Sequence, residues 1–153
     1  MKQIFNMRVC LLILLLFPVS FSLKASSLLM VRSEQPFDDA LENLQTVIRD
    51  HGYTISSVQN IAAGMIQTAY SSGKYRTVLF GVPEEIKRLS ETYPEMIPYL
   101  PLQIVVFDER GESLIASTNP EFLKKLFPNP ELFDIYTRWS KDLQSILQET
   151  RKD

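Results

Sequence analysis

The spacing of apolar residues changes several times along the chain, and each change predicts a different element. Ser27 to Arg32 (SLLMVR) is a short apolar run, which predicts a first strand. After Pro36, apolar residues recur at steps of three and four, which predicts an amphipathic helix ending near Gly52. The recurring positions are Phe37, Ala40, Leu41, Leu44, Val47 and Ile48. The pattern therefore begins with a strand followed by a helix.

From Tyr53 onwards, β-branched and aromatic residues are interrupted by glycine and serine. This pattern predicts three strands joined by short turns as an antiparallel meander. The strands are Tyr53 to Ile61, Met65 to Tyr70 and Arg76 to Phe80. Pro83 then opens a second helix, which Pro94 closes.

The most apolar strand of the later part is predicted at Leu102 to Phe107, after an extended approach stiffened by Pro98 and Pro101. A polar turn, Asp108 to Gly111, leads to a returning antiparallel strand at Ser113 to Ser117. The chain therefore contains at least one hairpin in this region.

Helices are predicted for the end of the chain. A short turn or helix follows Pro120, and a longer helix begins after Pro130. In the longer helix an apolar stripe recurs at steps of four and three residues: Leu132, Tyr136, Trp139, Leu143 and Ile146. Such a stripe favours packing on the protein's own sheet, and the alternative is packing on a partner.

The first 22 residues have the charged-then-apolar order of a secretory signal peptide. Lys2 and Arg8 precede an unbroken apolar run, Val9 to Phe17, and Ser20 and Ser22 supply the small residues that signal peptidase requires. The apolar segment has roughly a dozen residues, whereas a membrane-spanning helix needs about 20. We expect cleavage after Ser22, export to the periplasm or the extracellular space, and no stable membrane span afterwards.

Composition then restricts the chemistry of the mature protein. Cleavage would remove Cys10, the only cysteine, and would leave about 131 residues, enough for one domain with a hydrophobic core. A thiol-free domain excludes disulfides, cysteine nucleophiles and thiolate metal sites. Fourteen basic residues would then face 18 acidic residues, a net charge of about −4, which argues against nucleic-acid binding.

Three phrases carry a resemblance to a known family: LFGVP at Leu79 to Pro83, LPLQIVVFDERG at Leu100 to Gly111, and TNPEFL at Thr118 to Leu123. With the helix start at Pro36-Phe37 and the HGYTI step after that helix, the chain resembles the uncharacterised family called domain of unknown function 302. The resemblance runs from about Met30 to about Leu126.

This resemblance implies an α+β fold, an antiparallel β-sheet with helices packed on one face in a TATA-box-binding-protein-like arrangement, and often a dimer. It implies no known reaction. Family members commonly have Asn where this chain has Val82, and an Asp-His-like pair where it has Gln59-Asn60. These departures argue against an acid-base or metal role at those positions.

The predicted organisation is a signal peptide at residues 1–22, an α+β domain at 23–130, and an amphipathic helix at 131–153 that packs on the domain. The helix appears only after the usual end of the family resemblance, so the sequence presents it as an addition to the domain.

Candidate catalytic and metal-binding residues are few. His51, the only histidine, lies between Asp50 and Gly52 at the end of the first helix, where an imidazolium stabilises the helix C-terminus. No G-x-S-x-G motif marks a serine nucleophile, and the acids form no calcium-binding loop pattern. We therefore predict no catalytic residue, no metal site and no cofactor. The acids at helix starts and turns are expected to be solvated.

The residues predicted to bind a ligand or a partner surround the turns and strand exits. Glycine permits close approach, proline fixes the exit of a strand, and tyrosine and arginine offer amphipathic contact surface. The candidates are Tyr70, Tyr75, Arg76, Gly81, Pro83 and Asn119. The alternative is that these residues serve turn geometry alone.

These observations favour an exported, non-catalytic module that binds a small ligand or an envelope protein. Two alternatives stay open. One is an enzyme that uses a perturbed carboxylate, Glu84 or Asp108, in a pocket that the sequence does not show. The other is an interaction protein that forms a homodimer through its sheet edge or through the helix of Trp139.

Overall fold

The structure, a computed structural model, describes residues 27–60 and 74–151. The predicted signal peptide, the predicted strand Met65 to Tyr70 and the following turn at 71–73 lie outside the described residues. The elements in chain order are β1 (Leu28–Ser33), α1 (Phe37–Asp50), β2 (Thr54–Gln59), β3 (Tyr75–Gly81), α2 (Pro83–Thr92), a 3₁₀-helix (Pro94–Tyr99), β4 (Leu102–Glu109), β5 (Glu112–Thr118), a second 3₁₀-helix (Pro120–Phe122), α3 (Leu123–Leu126) and α4 (Pro130–Arg151).

The strands form one five-stranded sheet in the order β1-β5-β4-β3-β2, and every neighbouring pair is antiparallel. Of the described strands, the first, β1, lies at one edge and pairs with the last, β5. The predicted α+β class, with an antiparallel sheet and a C-terminal helix, is confirmed.

The β4–β5 hairpin shows how local sequence sets the register. Glu109 pairs with Glu112, so only Arg110 and Gly111 form the loop. Both loop residues have positive φ, 59° and 91°, which is the backbone of the two-residue turn that matches the twist of paired strands. The turn therefore places β4 and β5 in a register that leaves one face of each strand apolar.

Helices α1 and α4 cover one face of the sheet. The strands present alternate residues to this face, because side chains along a strand point to opposite sides. The strand residues that face the helices form one hydrophobic core with the inner faces of the helices. They include Val31, Val78, Phe80, Ile104, Val106 and Ile115. The apolar stripe of α4 belongs to this core: Leu132, Tyr136, Trp139, Leu143 and Ile146 are at most 2% exposed.

The opposite face of the sheet, here called the open face, carries three rows of mainly neutral side chains, followed by Glu109 and Glu112, which pair with each other across β4 and β5 at the hairpin end. The row nearest the ends of β3 and β5 contains Ser57, Leu79, Gln103, Thr118 and Leu28. The middle row contains Gln59, Thr77, Val105, Ala116 and Met30, and the far row contains Tyr75, Phe107, Leu114 and Arg32. Leu28, Met30 and Phe107 are 46%, 50% and 39% exposed. This face is therefore partly open to solvent, and its charged side chains gather at the hairpin end, where Arg32 pairs with Glu109 and Glu112.

The segment before β4 differs from the sequence expectation. Pro98 lies inside the 3₁₀-helix Pro94–Tyr99 instead of in an extended approach. The fixed φ of proline fits a 3₁₀-helix as well as an extended chain. The fully buried Met96, whose sulfur accepts a hydrogen bond from the Tyr136 hydroxyl at 3.1 Å, holds the turn against the core. Tertiary packing therefore decides between two conformations that proline allows equally.

Candidate functional site

Among the described residues, a groove lies at the end of the open face where β3 and β5 finish. We define the groove by six of its lining residues: Leu79, Tyr99, Pro101, Gln103, Thr118 and Phe122. Leu79, Gln103 and Thr118 form the floor, because they are neighbours in the row that crosses β3, β4 and β5. The volume is about 360 Å³ and the groove is half open.

The walls come from two segments that are remote in sequence. One wall is the end of the first 3₁₀-helix with Tyr99 and Pro101, and the other is the second 3₁₀-helix with Phe122. The Tyr99 ring packs edge-on against Phe122 and Phe127, with centroid distances of 6.0 Å and 5.5 Å. These ring contacts join the two walls and fix the width of the groove.

The lining carries no aspartate, glutamate, lysine or arginine. Its polar side chains are few. The Ser117 hydroxyl donates to the backbone carbonyl oxygen of Gln103 at 2.7 Å and lies 3.3 Å from the backbone carbonyl oxygen of Thr118. It is therefore already hydrogen-bonded to the sheet backbone. The side chains of Gln103 and Thr118 are exposed at the floor. The groove thus offers apolar surface with three further neutral polar groups, the Gln103 amide and the hydroxyls of Thr118 and Tyr99.

Asn119 lies beside the groove and is almost fully buried. Its side-chain oxygen accepts hydrogen bonds from the backbone N–H of Glu121 at 3.1 Å and from the Ser140 hydroxyl at 2.8 Å. Its own backbone N–H donates to the Ser27 carbonyl at 2.9 Å. Asn119 therefore caps the second 3₁₀-helix and ties the groove wall to α4, and it is not among the lining residues.

Gly81 and Pro83 lie at the same end of the sheet. A Cβ atom on Gly81 would meet the Ile86 side chain, with Cδ1 at 2.3 Å and Cγ1 at 3.1 Å. Pro83 is exposed and occupies the first turn of α2. Glycine therefore allows α2 to fold back closely on the end of β3, as expected for a residue that permits close approach.

Tyr75 and Arg76 lie at the opposite end of β3, about 20 Å from Gly81 at about 3.3 Å per residue. The Tyr75 ring stacks on Phe107, with centroids 5.9 Å apart. Arg76 donates to the Tyr75 carbonyl oxygen at 2.9 Å, and its guanidinium lies 6.0 Å from the centroid of the Phe37 ring. The structure does not bring the two groups of candidates together, Tyr70 lies outside the described residues, and a binding role for these residues stays a prediction.

The acids of the enzyme hypothesis lie away from the groove. Glu84 is exposed in the first turn of α2. Asp108 lies at the β4–β5 hairpin, where its carboxylate accepts from the Gly111 N–H at 3.3 Å. His51 ends α1 and places Nε2 3.2 Å from a carboxylate oxygen of Glu149 on α4. None of these three side chains is among the lining residues of the groove.

A polar network between α2, α4 and the start of β2 was not predicted from the sequence. The Trp139 indole N–H donates to Glu85 at 2.9 Å, and Arg138 pairs with the second oxygen of the same carboxylate. The Tyr53 hydroxyl donates to Asp142 at 2.5 Å, and Arg138 lies 3.9 Å from the same Asp142 oxygen. The 3.6-residue period places Arg138 and Asp142 on one side of α4, but their partners across the fold give no sequence signal.

Burial and the hydrogen bond to Asp142 raise the pKa of the Tyr53 hydroxyl well above its ordinary value of 10.0. A group with a raised folded pKa stabilises the fold below its ordinary pKa, and this contribution is lost as the pH rises. Near pH 7 we therefore expect Tyr53→Phe to be about 1–2 kcal/mol less stable than the wild type. Above pH 10 the wild type should lose up to about 1.4 kcal/mol per pH unit more than the variant.

Urea unfolding of both proteins between about pH 7 and pH 12 measures this difference. The other tyrosines ionise in both proteins and cancel in the comparison. Parallel loss of stability above pH 10 would show that Tyr53 ionises as easily in the fold as in the unfolded chain.

Family comparison covers most of the described chain. The family model of a domain of unknown function, DUF302, matches residues 29–150. The chain belongs to the DUF302 family. The matched range extends beyond Leu126, where the resemblance of the sequence phrases ended, and it includes nearly all of α4.

A solved structure shares the DUF302 fold. The crystal structure of an uncharacterized conserved DUF302 protein from Bacillus stearothermophilus superposes with a TM-score of 0.73 at 20% sequence identity. The match covers 83% of this chain and 100% of the other. No curated protein matches the chain. The comparisons therefore establish the family and the fold of this DUF302 protein, and they assign no reaction.

Two further properties concern the described residues of the DUF302 domain. Across 27–60 and 74–151, no helix has both the length and the apolar character needed to cross a membrane. In the same two ranges, His, Cys, Asp and Glu side chains do not gather in threes in a way that could hold a metal ion.

Proposed function

We propose that this DUF302 protein is an exported, non-catalytic module that binds a small apolar or amphipathic ligand in the groove. The observation that carries the proposal is the uncharged, mainly apolar lining of a half-open cavity of about 360 Å³ at the end of the open face. Small-molecule sites typically have volumes of about 300–1,000 Å³ and a mainly apolar lining with a few polar groups.

The energetic basis is the removal of apolar surface from water. Each square ångström of apolar surface that ligand and groove bury contributes about 25 cal/mol. Tyr99 and Phe122 suit this role because their rings are held by mutual packing, so little side-chain freedom is lost on binding. A pre-formed wall of this kind favours binding of a ligand over further collapse of the wall.

Filling the groove with a side chain tests the proposal. Thr118 is exposed on the floor, and tryptophan is readily accommodated in a strand. We expect Thr118→Trp to weaken binding of the neutral apolar dye Nile red at least tenfold, measured by fluorescence titration. Thr54→Trp is the matched control, because Thr54 is exposed at the same end of the sheet on β2 and does not line the groove.

The natural ligand class is then sought by thermal-shift screening of residues 23–153 against envelope lipids and metabolites. Hits that disappear in Thr118→Trp and persist in Thr54→Trp support the groove. Equal dye binding by both variants, or no thermal shift from any compound, contradicts the proposal.

A second candidate function is a homodimer formed through the open face. It is favoured by the exposed apolar side chains of Leu28, Met30 and Phe107, since a partly exposed apolar face of this kind often marks an interaction surface. Two such faces can stack at a separation of about 10 Å with interdigitated side chains. A second copy of the chain offers the same exposed apolar side chains, so a homodimer would cover them on both copies.

Sedimentation equilibrium distinguishes this candidate. We expect wild-type protein to sediment as a dimer and Phe107→Asp to sediment as a folded monomer. Val58→Asp is the matched control, because Val58 is 40% exposed, like Phe107, and its strand neighbour Val78 faces the helices. A monomeric wild type, or equal dissociation of both variants, argues against the open face as an interface.

A further inference from the structure

The chemistry of the groove limits which ligand groups it accepts. Its lining contains no charged side chain, and the Ser117 hydroxyl is engaged with the strand backbone. The exposed polar groups at the floor are the Gln103 amide and the Thr118 hydroxyl, and both are neutral. A primary amide supplies two N–H donors and one carbonyl acceptor, so Gln103 suits a ligand carbonyl group.

A charged ligand group would be poorly accommodated at this floor. A carboxylate or an ammonium that enters the groove loses water, and no opposite charge among the lining residues replaces it. An ester or amide carbonyl needs only one hydrogen-bond donor to offset its loss of water. The lining therefore distinguishes ligands by whether their polar group is charged, and less by how many hydrogen bonds that group can form.

The size of the groove suits a short chain. The rings of Tyr99 and Phe122 contact each other at its walls, and two residues along the strands from the floor residues Leu79 and Gln103 lie Thr77 and Val105 of the middle row. In that row Met30 is 50% exposed, whereas Thr77 and Ala116 are buried. At about 30 Å³ for a water-sized group, the cavity itself holds about a dozen non-hydrogen atoms, the size of a short acyl chain with one carbonyl group.

We infer that the ligand of the groove is an acyl chain carried on an uncharged ester or amide, with its carbonyl group hydrogen-bonded by Gln103. This inference rests on the proposed function and specifies its ligand. The chain contacts Leu79 and the two aromatic walls, and the carbonyl oxygen accepts from the Gln103 side chain. Free fatty acids and alkylamines are expected to bind more weakly.

Three probes of equal chain length test the inference by displacement of Nile red from the full mature chain at pH 7. Methyl octanoate is neutral, octanoate is an anion and octylammonium is a cation. We expect methyl octanoate to displace the dye at a concentration at least tenfold lower than either ion. Gln103→Leu should lower the affinity for methyl octanoate about fivefold, which is the effect of one lost hydrogen bond.

Gln59→Leu is the matched control, because Gln59 is also exposed on the open face, in β2, and does not line the groove. It should leave all three affinities unchanged, and thermal unfolding of both variants checks that they are folded. Equal displacement by the ester and an ion, or equal affinity in Gln103→Leu and Gln59→Leu, overturns the inference while the groove still binds Nile red. Absence of Nile red binding to the wild type overturns the proposed function and the inference together.

Discussion

The Trp139→Ala variant is expected to lose about 3–5 kcal/mol of unfolding free energy, the largest single effect predicted for this protein. Trp139 is 2% exposed, lies against Tyr136 and donates its indole N–H to Glu85. Alanine leaves a cavity between α4 and the sheet and removes one hydrogen-bond partner of Glu85. Because domains of this size have total stabilities of about 5–15 kcal/mol, the variant should be partly unfolded at moderate temperature.

Denaturant unfolding measures this loss, and sedimentation checks the alternative role of Trp139 in a partner interface. Trp139→Phe keeps most of the packing and loses only the N–H donor, so it should cost less than Trp139→Ala. Leu126→Ala, at a 49% exposed position, should change stability by less than about 0.5 kcal/mol. A stably folded Trp139→Asp monomer derived from a wild-type dimer would place Trp139 in an interface instead of the core.

Asn119→Ala is expected to lose about 2–3 kcal/mol. Removal of an N-cap side chain costs about 0.5–2 kcal/mol, and the buried Ser140 hydroxyl loses the acceptor to which it donates. Asn129→Ala is a closely matched control, because Asn129 accepts from the Glu131 N–H at the same 3.1 Å distance at the start of α4 and is only half-buried. It should lose about 1 kcal/mol.

A double-mutant cycle with Ser140→Ala isolates the buried hydrogen bond. We expect Asn119→Ala to be less damaging when Ser140 is already alanine, because no hydroxyl is then left without its acceptor. Equal losses for Asn119→Ala and Asn129→Ala would show that capping alone explains the role of Asn119.

Local sequence predicted the elements of this fold better than their arrangement. Helices α1 and α2 begin and end close to the predicted positions because proline and glycine limit the backbone there, at Pro36, Gly52, Pro83 and Pro94. The pairing of β1 with β5 was not predicted, since Val31 and Ile115 are neighbours in the sheet and more than 80 residues apart in the chain. No local pattern encodes such a contact.

The groove was missed for the same reason. Leu79, Gln103 and Thr118 come from three strands, and Tyr99 and Phe122 come from two separate 3₁₀-helices. The sequence drew attention to Gly81 and Asn119 because their residue types favour strand exits and caps, and both lie next to the groove without lining it. Residues that shape a site were thus easier to predict than those that line it.

Glu85 illustrates the limit for charged residues. In the sequence it is indistinguishable from Glu84, and both were expected to be solvated at the start of a helix. In the fold only Glu85 faces α4, where it pairs with Arg138 and Trp139. A difference of one position rotates a helical side chain by about 100°, so the network becomes visible only when the packing of α2 on α4 is known.

The strand order also determines when the fold can form. Among the described strands β1 pairs with β5, so a fragment that stops before β5 lacks the strand that β1 pairs with. The contacts between β1 and β5 join residues that are far apart in the sequence, so the fold has a high contact order. Because the chain loses conformational entropy before these contacts form, we expect the domain to fold more slowly than a helical bundle of similar size. The domain should therefore resist division into independently folding halves, and a chain still being synthesised should stay unfolded until its last hairpin has emerged.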